Sequence, residues 1–239
     1  MDKEINIDII GKALLDYQLD KYSENIMTYS SIGGYDEMDI PFLFRSFDEM
    51  TILEQKTMQM CKGSVLDIGC GAGSHTLHLL SNGMKVTAID TSVGAIETCN
   101  LRGIKNAFVQ NIWDVHNEKF DTILAPMNGI GMCEKLENLA TFLLHLKSLL
   151  NPNGQILLDS SDLIYMYEKK NRENILKENK NYYGEVTFEM VYKNQFTDLF
   201  HWLFVDFNTL EYHAKKVGLT CELIMEGYHH DFLVKMTLK

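Results

Sequence analysis

Residues 65–73 constrain the fold of this chain more than any other segment. They read Val-Leu-Asp-Ile-Gly-Cys-Gly-Ala-Gly, so an apolar run passes into a turn with glycine at every second position. Glycine lets a backbone bend sharply and leaves no Cβ atom in the way of a ligand. Ser74 then opens a helix-like segment, and a helix N-terminus attracts polar ligands. The segment therefore predicts a strand, a tight turn and a helix that together form a binding site.

Apolar strands alternate with amphipathic helices from residue 61 to about residue 160. The pattern predicts strands at 64–68, 85–90, 107–110, 120–125 and 155–159, and helices at 74–80, 93–102 and 136–150. Such apolar strands are typical of a parallel sheet covered by helices on both faces. Two further strands, 220–226 and 231–238, are expected to close one edge as an antiparallel pair. The predicted fold is α/β, with a doubly wound, mostly parallel seven-stranded sheet.

Two regions flank or interrupt this pattern. Residues 1–60 are expected to form an N-terminal helical cap to the main domain at 61–239, because apolar side chains recur there at helical spacing: Ile9, Ile10, Ala13, Leu14 and Tyr17. An insertion is expected at about 160–206. It contains a helix-prone stretch at 163–181 and a β-hairpin formed by 184–193 and 196–206. This insertion is a candidate lid or homodimer surface.

Composition excludes several classes of function. A chain of 239 residues can bury enough surface to fold without a disulfide or metal. Its net charge of −11 disfavours a nucleic-acid partner. The five cysteines are widely spaced and lack a Cys-x-x-Cys pair, so neither a disulfide framework nor a zinc site is expected. No signal-like leader or bilayer-length apolar run is visible, so we expect a cytoplasmic protein without membrane partners.

The spacing of the glycines narrows the choice of ligand. A dinucleotide fingerprint requires Gly-x-Gly-x-x-Gly, whereas this turn reads Gly69-x-Gly71-x-Gly73 and has Ser74 where the third glycine would stand. Asp67 precedes the turn, and its charge would repel a pyrophosphate but suit an amino group. A nicotinamide-dependent oxidoreductase is therefore the weaker alternative. A phosphate-loop ATPase is excluded because no Gly-Lys-Ser/Thr follows.

With this motif, the chain resembles the class I S-adenosylmethionine-dependent methyltransferases from residue 65 to about residue 160. The resemblance implies their Rossmann-like fold and S-adenosylmethionine as cofactor. It assigns cofactor contacts to the turn residues Asp67, Gly69, Cys70, Gly71 and Gly73. Asp90 follows Gly69 by 21 residues (90 − 69) and matches the acid that binds both ribose hydroxyls in the family, while Thr91 would flank the adenosine.

Four further residues are candidate cofactor contacts. Asn111 stands where the family has an acidic residue that accepts from the adenine amino group, and Ile112 would pack on the adenine. Pro126 belongs to the loop at 125–131, which the family places beneath the reacting methyl group. Arg45 is a candidate partner for the carboxylate of the cofactor's methionine part. Its structural alternative is a solvated helix charge.

The acceptor side carries three candidate substrate residues: Asn128, Asp159 and Asp162. The structural alternatives are that Asn128 only supports a turn and that Asp162 only caps a helix. The leading hypothesis is methyl transfer to a small-molecule acceptor by in-line displacement, catalysed mainly by positioning. No residue is identifiable as a general base. A non-catalytic regulatory module that binds S-adenosylmethionine is the alternative from another class.

Overall fold

The computed structural model describes residues 7–168 and 181–239. The strands are, in chain order, β1 (Ile26–Ser30), β2 (Gly34–Met38), β3 (Ser64–Ile68), β4 (Lys85–Asp90), β5 (Ala107–Val109), β6 (Phe120–Ala125), β7 (Leu150–Ser161), β8 (Glu185–Tyr192), β9 (Gln195–Phe196), β10 (Phe200–Leu203), β11 (Leu219–Glu226) and β12 (Asp231–Leu238). The α-helices are α1 (Ile9–Gln18), α2 (Ile52–Met60), α3 (Ser74–Ser81), α4 (Val93–Leu101), α5 (Leu136–Ser148) and α6 (Phe207–Lys216). Among these helices, none has the length and hydropathy needed to cross a bilayer.

The main sheet has seven strands in the order β11-β12-β7-β6-β3-β4-β5. Strands β3 to β7 run parallel, whereas β11 and β12 pair antiparallel at one edge. The predicted seven-stranded α/β sheet is confirmed. The chain moves outward from β3 to β5 and then returns to place β6 on the other side of β3. Open α/β sheets bind ligands at the carboxyl ends of the strands beside such a reversal, which here means the ends of β3 and β6.

Helix α5 shows why the strands and helices pack as predicted. Leu139, Phe142, Leu143 and Leu146 recur at spacings of three and four residues and are fully buried against the sheet. Burial of each such side chain contributes roughly 1.5–3 kcal/mol. This apolar stripe fixes the helix on one face of the sheet. It thereby holds the carboxyl ends of β6 and β7 in place.

Strand β7 is longer than the sequence predicts. It begins at Leu150 rather than residue 155, because Leu150 already pairs with Phe120 on β6. The expected turn residues 151–154 form an irregularity within the strand, where Asn153 has a left-handed backbone (φ 66°). Helix α5 correspondingly ends at Ser148. A turn-like composition therefore did not end the pairing of the two strands.

The expectation of a purely helical N-terminal cap is wrong between α1 and α2. Strands β1 and β2 form a hairpin there, with residues 31–33 as its turn. This hairpin joins β8 and β10 of the insertion in a second sheet of order β10-β8-β1-β2. The physical reason is non-local, because β1 obtains its second partner from a strand about 160 residues further along the chain.

The insertion contains the predicted hairpin, in which β8 pairs with β9 and β10. Lys193 and Asn194 both have positive φ angles, of 47° and 61°, as a two-residue type I′ turn requires. Of the helix-prone stretch 163–181, a 3₁₀ turn is seen at Leu163–Met166. The remainder of that prediction, at 169–180, lies outside the described residues.

Helix α1 is held against α4 by a shared aspartate. Oδ1 of Asp8 accepts from the backbone N–H of Gly11 (2.8 Å), which caps α1. Oδ2 of Asp8 accepts from Ser92 Oγ (2.8 Å) and from the N–H of Gly94 (3.0 Å) at the start of α4. Gly11 and Gly94 lie in direct contact, so that the two helix backbones touch. Helix α1 is thus a fixed part of the domain.

We expect Gly94→Ala to destabilise the protein by about 1–3 kcal/mol through overpacking. A Cβ at residue 94 would lie 2.4 Å from the carbonyl carbon and oxygen of Gly11, which are backbone atoms. The direction of the change in stability tests this packing, because Gly→Ala in an unobstructed helix stabilises a protein by up to about 1 kcal/mol. Urea unfolding measures the change, with Glu97→Ala on the exposed side of α4 as control. Stability equal to or above the wild type in Gly94→Ala would contradict this packing.

Candidate cofactor and acceptor site

The glycine turn after β3 borders open space. Gly69 and Gly71 have left-handed backbones (φ 69° and 53°). A Cβ at Gly71 would meet no atom within 4 Å, and one at Gly69 would meet only Met132 Sδ, at 3.8 Å. A Cβ at Gly73, in contrast, would lie 2.3 Å from Ile104 Cδ1. The first two glycines therefore keep a surface clear, whereas Gly73 is required for packing.

Asp90 ties the end of β4 to this turn. Its Oδ2 accepts from the N–H of Gly71 (2.9 Å) and its Oδ1 from the N–H of Ser92 (2.9 Å). Burial raises the pKa of Asp90, although these hydrogen bonds oppose the rise. Each oxygen of an ionised carboxylate can accept a further hydrogen bond. The side chain is thus oriented beside the turn with acceptor capacity to spare.

The side chains of Asp67, at the end of β3, and Cys70, within the turn, are both buried. Asp67 is fully buried, and its Oδ2 accepts from Thr76 Oγ1 (2.5 Å). Its Oδ1 has no hydrogen-bond partner among the described residues, and burial raises the pKa of the carboxyl. Cys70 is also buried, with its Sγ 3.8 Å from that of Cys99. Cys70 can therefore offer a ligand only its backbone.

Arg45 belongs to a buried charge cluster that the sequence did not reveal. Its guanidinium forms an ion pair with Glu54, and Nη1 donates to the carbonyl of Phe42 (2.7 Å). Nε2 of His75 lies 2.7 Å from the same Glu54 oxygen. Nη2 of Arg45 is 3.1 Å from the sulfur of Met127, so the cluster reaches the loop after β6. The Nε atom of Arg45 has no hydrogen-bond partner among the described residues.

Glu54 is the centre of this cluster and is the residue that sequence reasoning missed. Burial by itself would raise the pKa of Glu54, but hydrogen bonds from His75 and Arg45 outweigh it and lower the pKa to about 2. The local signal was present, because Thr51 and Glu54 form a capping box at the start of α2. That pattern predicts a helix start and not a buried ion pair.

The predicted adenine contacts lie at the end of β5. The side chain of Asn111 accepts from the N–H of Trp113 (3.0 Å) and caps a 3₁₀ turn. Ile112 is buried in the main core, and Thr91 is exposed at the end of β4. The structure thus gives Asn111 a local capping role. Its contact with adenine stays a prediction.

Asn128 binds the loop after β6 to two other segments. Pro126 opens this loop, and Met127 and Asn128 both have left-handed backbones (φ 56° and 57°). The Asn128 side chain accepts from Ser160 Oγ (3.0 Å) and donates to the carbonyl of Leu203 on β10 (3.0 Å). These bonds favour the structural alternative for this side chain. The loop, β7 and the insertion form one connected wall.

The two predicted acidic substrate residues differ in their surroundings. Both oxygens of Asp159 accept from the backbone N–H of Asn128 (3.2 Å each), and burial raises the pKa of Asp159 to about 7. Oδ1 of Asp162 accepts from the N–H of Ile164 (2.9 Å) and from Tyr183 Oη (2.8 Å). Asp162 is therefore a cap, as its structural alternative states, whereas Asp159 has no side-chain partner within residues 7–168 and 181–239.

Comparisons with known proteins agree with this geometry. A family model described as a methyltransferase domain matches residues 43–198, more than half of the chain. A crystal structure of an S-adenosylmethionine-dependent methyltransferase from Bacteroides fragilis, in complex with S-adenosyl-L-homocysteine, is 39% identical. It covers 97% of this chain and 94% of its own, with a TM-score of 0.89. This chain belongs to the S-adenosylmethionine-dependent methyltransferase family.

Other proteins match a smaller part of this chain or have a lower sequence identity to it. The ubiquinone biosynthesis O-methyltransferase of Rickettsia typhi is 32% identical over 105 residues, which are 41% of each protein. That of Actinobacillus pleuropneumoniae is 25% identical over 60% of this chain and 63% of its own. The chain thus spans two fifths to two thirds of these curated relatives. A Pyrococcus horikoshii structure with 19% identity and a TM-score of 0.60 covers 78% of this chain and 88% of its own, and shows the fold alone.

The residues of this methyltransferase fit the cofactor that its family uses. Gly69 and Gly71 leave a cradle that a Cβ would fill. Asp67 and Arg45 each retain one buried polar atom that has no partner in the described part of the chain. The Asp67 oxygen is an acceptor for an amino group, and the Arg45 nitrogen is a donor for a carboxylate. Asp90 retains acceptor capacity for hydroxyl groups. The ends of β3 and β4 bring the glycine turn and Asp90 together. Cys70, Ile112, Asn128 and Asp162 have mainly structural contacts.

Proposed function

We propose that this chain transfers a methyl group from S-adenosylmethionine to a small-molecule acceptor. The observation that carries the proposal is the clear surface above Gly69 and Gly71 beside the Asp90 carboxylate. The B. fragilis methyltransferase, which was crystallised with S-adenosyl-L-homocysteine, supports it across nearly the whole chain. A nicotinamide-dependent oxidoreductase is disfavoured, because the glycine spacing departs from the dinucleotide pattern and the family model that matches is a methyltransferase domain.

When bound, S-adenosylmethionine supplies an activated methyl group on a positively charged sulfur. The chain's own contribution is to hold the two reactants in line and to exclude water. Asp90 would accept from the ribose hydroxyls, and the turn backbone would approach the cofactor closely. Arg45 Nε would meet the methionine carboxylate. The loop at Pro126–Asn128, anchored by Ser160 and Leu203, would form the wall on the acceptor side.

We expect Asp90→Ala to weaken binding of S-adenosylhomocysteine about 10- to 100-fold, as the loss of charge-assisted hydrogen bonds does. Isothermal titration calorimetry measures the affinity. Asp121→Ala is the matched control, because Asp121 also accepts from a backbone N–H (Ser64, 2.8 Å) but lies at the opposite end of β6. Equal affinity in Asp90→Ala and the wild type, or no binding by the wild type at millimolar ligand, would refute the proposed function.

Three further properties are proposed. The curated relatives are O-methyltransferases, so oxygen is the favoured acceptor atom. A homodimer through the insertion is supported by exposed apolar side chains on the second sheet and its hairpins, such as Tyr29, Tyr35 and Phe196. Light scattering after gel filtration tests it. A cytoplasmic location stays a prediction from the sequence.

A further inference from the structure

Asp159 lies at the carboxyl edge of the main sheet, beside the loop that follows β6. It follows Leu158 on β7, which pairs with Ala125 at the end of β6, next to β3 and the glycine turn. The loop after β6 lies next to both, since the N–H of Asn128 donates to Asp159 (3.2 Å) and Met132 Sδ would be 3.8 Å from a Cβ on Gly69. Asp159 and the glycine turn therefore flank the same loop at the carboxyl edge of the sheet.

The Asp159 carboxylate is held in place by hydrogen bonds but has no counter-ion among the described residues. Its hydrogen-bond donors are backbone N–H groups, that of Asn128 (3.2 Å) and its own, and no cation among the described residues forms an ion pair with it. Glu54, by contrast, is paired with both Arg45 and His75. The N–H of Asn128 is fixed by a left-handed backbone and by the anchored Asn128 side chain. Asp159 thus has free acceptor capacity in a defined orientation.

The electrostatic surroundings suit proton uptake near neutral pH. Burial is the main cause that raises the pKa of Asp159 to about 7, and the hydrogen bond from Asn128 opposes it. Glu54 on α2 raises this pKa further, whereas His75 on α3 lowers it. Opposite Asp159 on β12 stands the apolar Leu233. A general base works best when its pKa lies near the working pH.

We propose that the acceptor is a hydroxyl compound and that Asp159 takes up the hydroxyl proton during methyl transfer. This inference rests on the function proposed above. An oxygen lone pair forms the new bond to the methyl carbon, while the bond from carbon to sulfur breaks and leaves its electron pair on sulfur. The O–H electrons stay on oxygen as the proton passes to the Asp159 carboxylate. Without that transfer the product would be a strongly acidic oxonium ion, whereas methylation of a neutral amine gives a stable ammonium ion.

The first test needs no acceptor. Protein labelled with ¹³C at the aspartate carboxyls is titrated by NMR from pH 4 to pH 9. We expect a carboxyl signal that titrates near pH 7 and is missing from Asp159→Asn, an isosteric variant that still accepts from Asn128. The control Asp121→Asn should retain this signal. If the signal assigned to Asp159 titrates below pH 5, the inference is overturned.

The second test uses probes on one ring scaffold with methyl-labelled S-adenosylmethionine: catechol, benzylamine, thiophenol and benzoate. We expect label on catechol, with a kcat that rises with pH and levels off above pH 7. Asp159→Asn should lower kcat about 100-fold or more and abolish this pH dependence, with KM and S-adenosylhomocysteine affinity within about twofold. A variant as active as the wild type, or label on other probes alone, overturns the inference. If no probe is labelled, the NMR titration decides.

Failure of this inference is distinguishable from failure of the proposed function. A protein that does not bind S-adenosylhomocysteine refutes methyl transfer itself. A protein that binds it normally, but in which Asp159 titrates like an ordinary carboxyl, refutes only the role of Asp159.

Discussion

Gly71→Ala should weaken S-adenosylhomocysteine binding about 100-fold, equivalent to about 2.7 kcal/mol, and should lower the stability by about 1–2 kcal/mol. The added methyl group would enter the space above the turn, where no protein atom lies within 4 Å. A cofactor bound there would have to move away from the turn backbone. Calorimetric titration gives the affinity, and urea unfolding gives the stability.

Gly83→Ala is the matched control for backbone strain. Gly83 also has a left-handed backbone (φ 77°), and its Cβ would likewise meet no atom within 4 Å, but it lies in the turn between α3 and β4. Both variants should lose about 1–2 kcal/mol of stability, because the left-handed conformation is unfavourable for an L-residue that has a Cβ. Only Gly71→Ala should lose affinity. Equal affinities in the two variants would show that the turn does not contact the cofactor.

Glu54→Gln should destabilise the protein by about 3–5 kcal/mol at pH 7, because it leaves the buried Arg45 without its counter-charge. Both side chains of the pair are almost completely buried. Glutamine keeps the shape and can still accept one hydrogen bond, so the loss reports mainly on the charge. Urea unfolding measures it, with Glu97→Gln on the exposed side of α4 as control.

The destabilisation in Glu54→Gln should depend on pH with a defined sign. The pKa of Glu54 is lowered on folding, from an ordinary value of 4.5 to about 2. A lowered carboxyl pKa stabilises the fold above the unfolded value and loses that effect as the pH falls through the folded value. The difference between wild type and Glu54→Gln should be complete above about pH 5 and disappear towards pH 2. A difference that stays constant over this range would contradict the ion pair.

The parts of this molecule that the sequence predicted well are those that depend on local periodicity. The α/β alternation predicted the seven-stranded sheet, and the two C-terminal strand-like segments predicted the antiparallel pair at its edge. The N-terminal hairpin was missed because its second partner strand lies in the insertion. Strand β7 was predicted too short because residues 151–154 have the composition of a turn. Pairing with β6 overrides that local preference.

For the site, sequence and structure contribute different facts. The spacing of Gly69, Gly71 and Asp90 identifies the kind of ligand, because backbone conformation and strand ends are local properties. Which glycines of the turn border open space depends on residues distant in sequence. Ile104, for example, packs against Gly73, whereas no atom lies within 4 Å of a Cβ on Gly71. The same holds for the Arg45–Glu54–His75 cluster, which brings three separate segments together.

The sequence by itself determined the main sheet, the glycine turn and the methyl donor that this turn suits. Only the tertiary structure decided which polar groups are consumed by the fold and which are left for chemistry. The side chains of Asn128 and Asp162 bind other side chains of the protein, whereas Asp159 accepts only from backbone N–H groups among the described residues. The reason is that a side chain's partners and its burial, and hence its pKa, are set by residues remote in sequence. A motif cannot encode them.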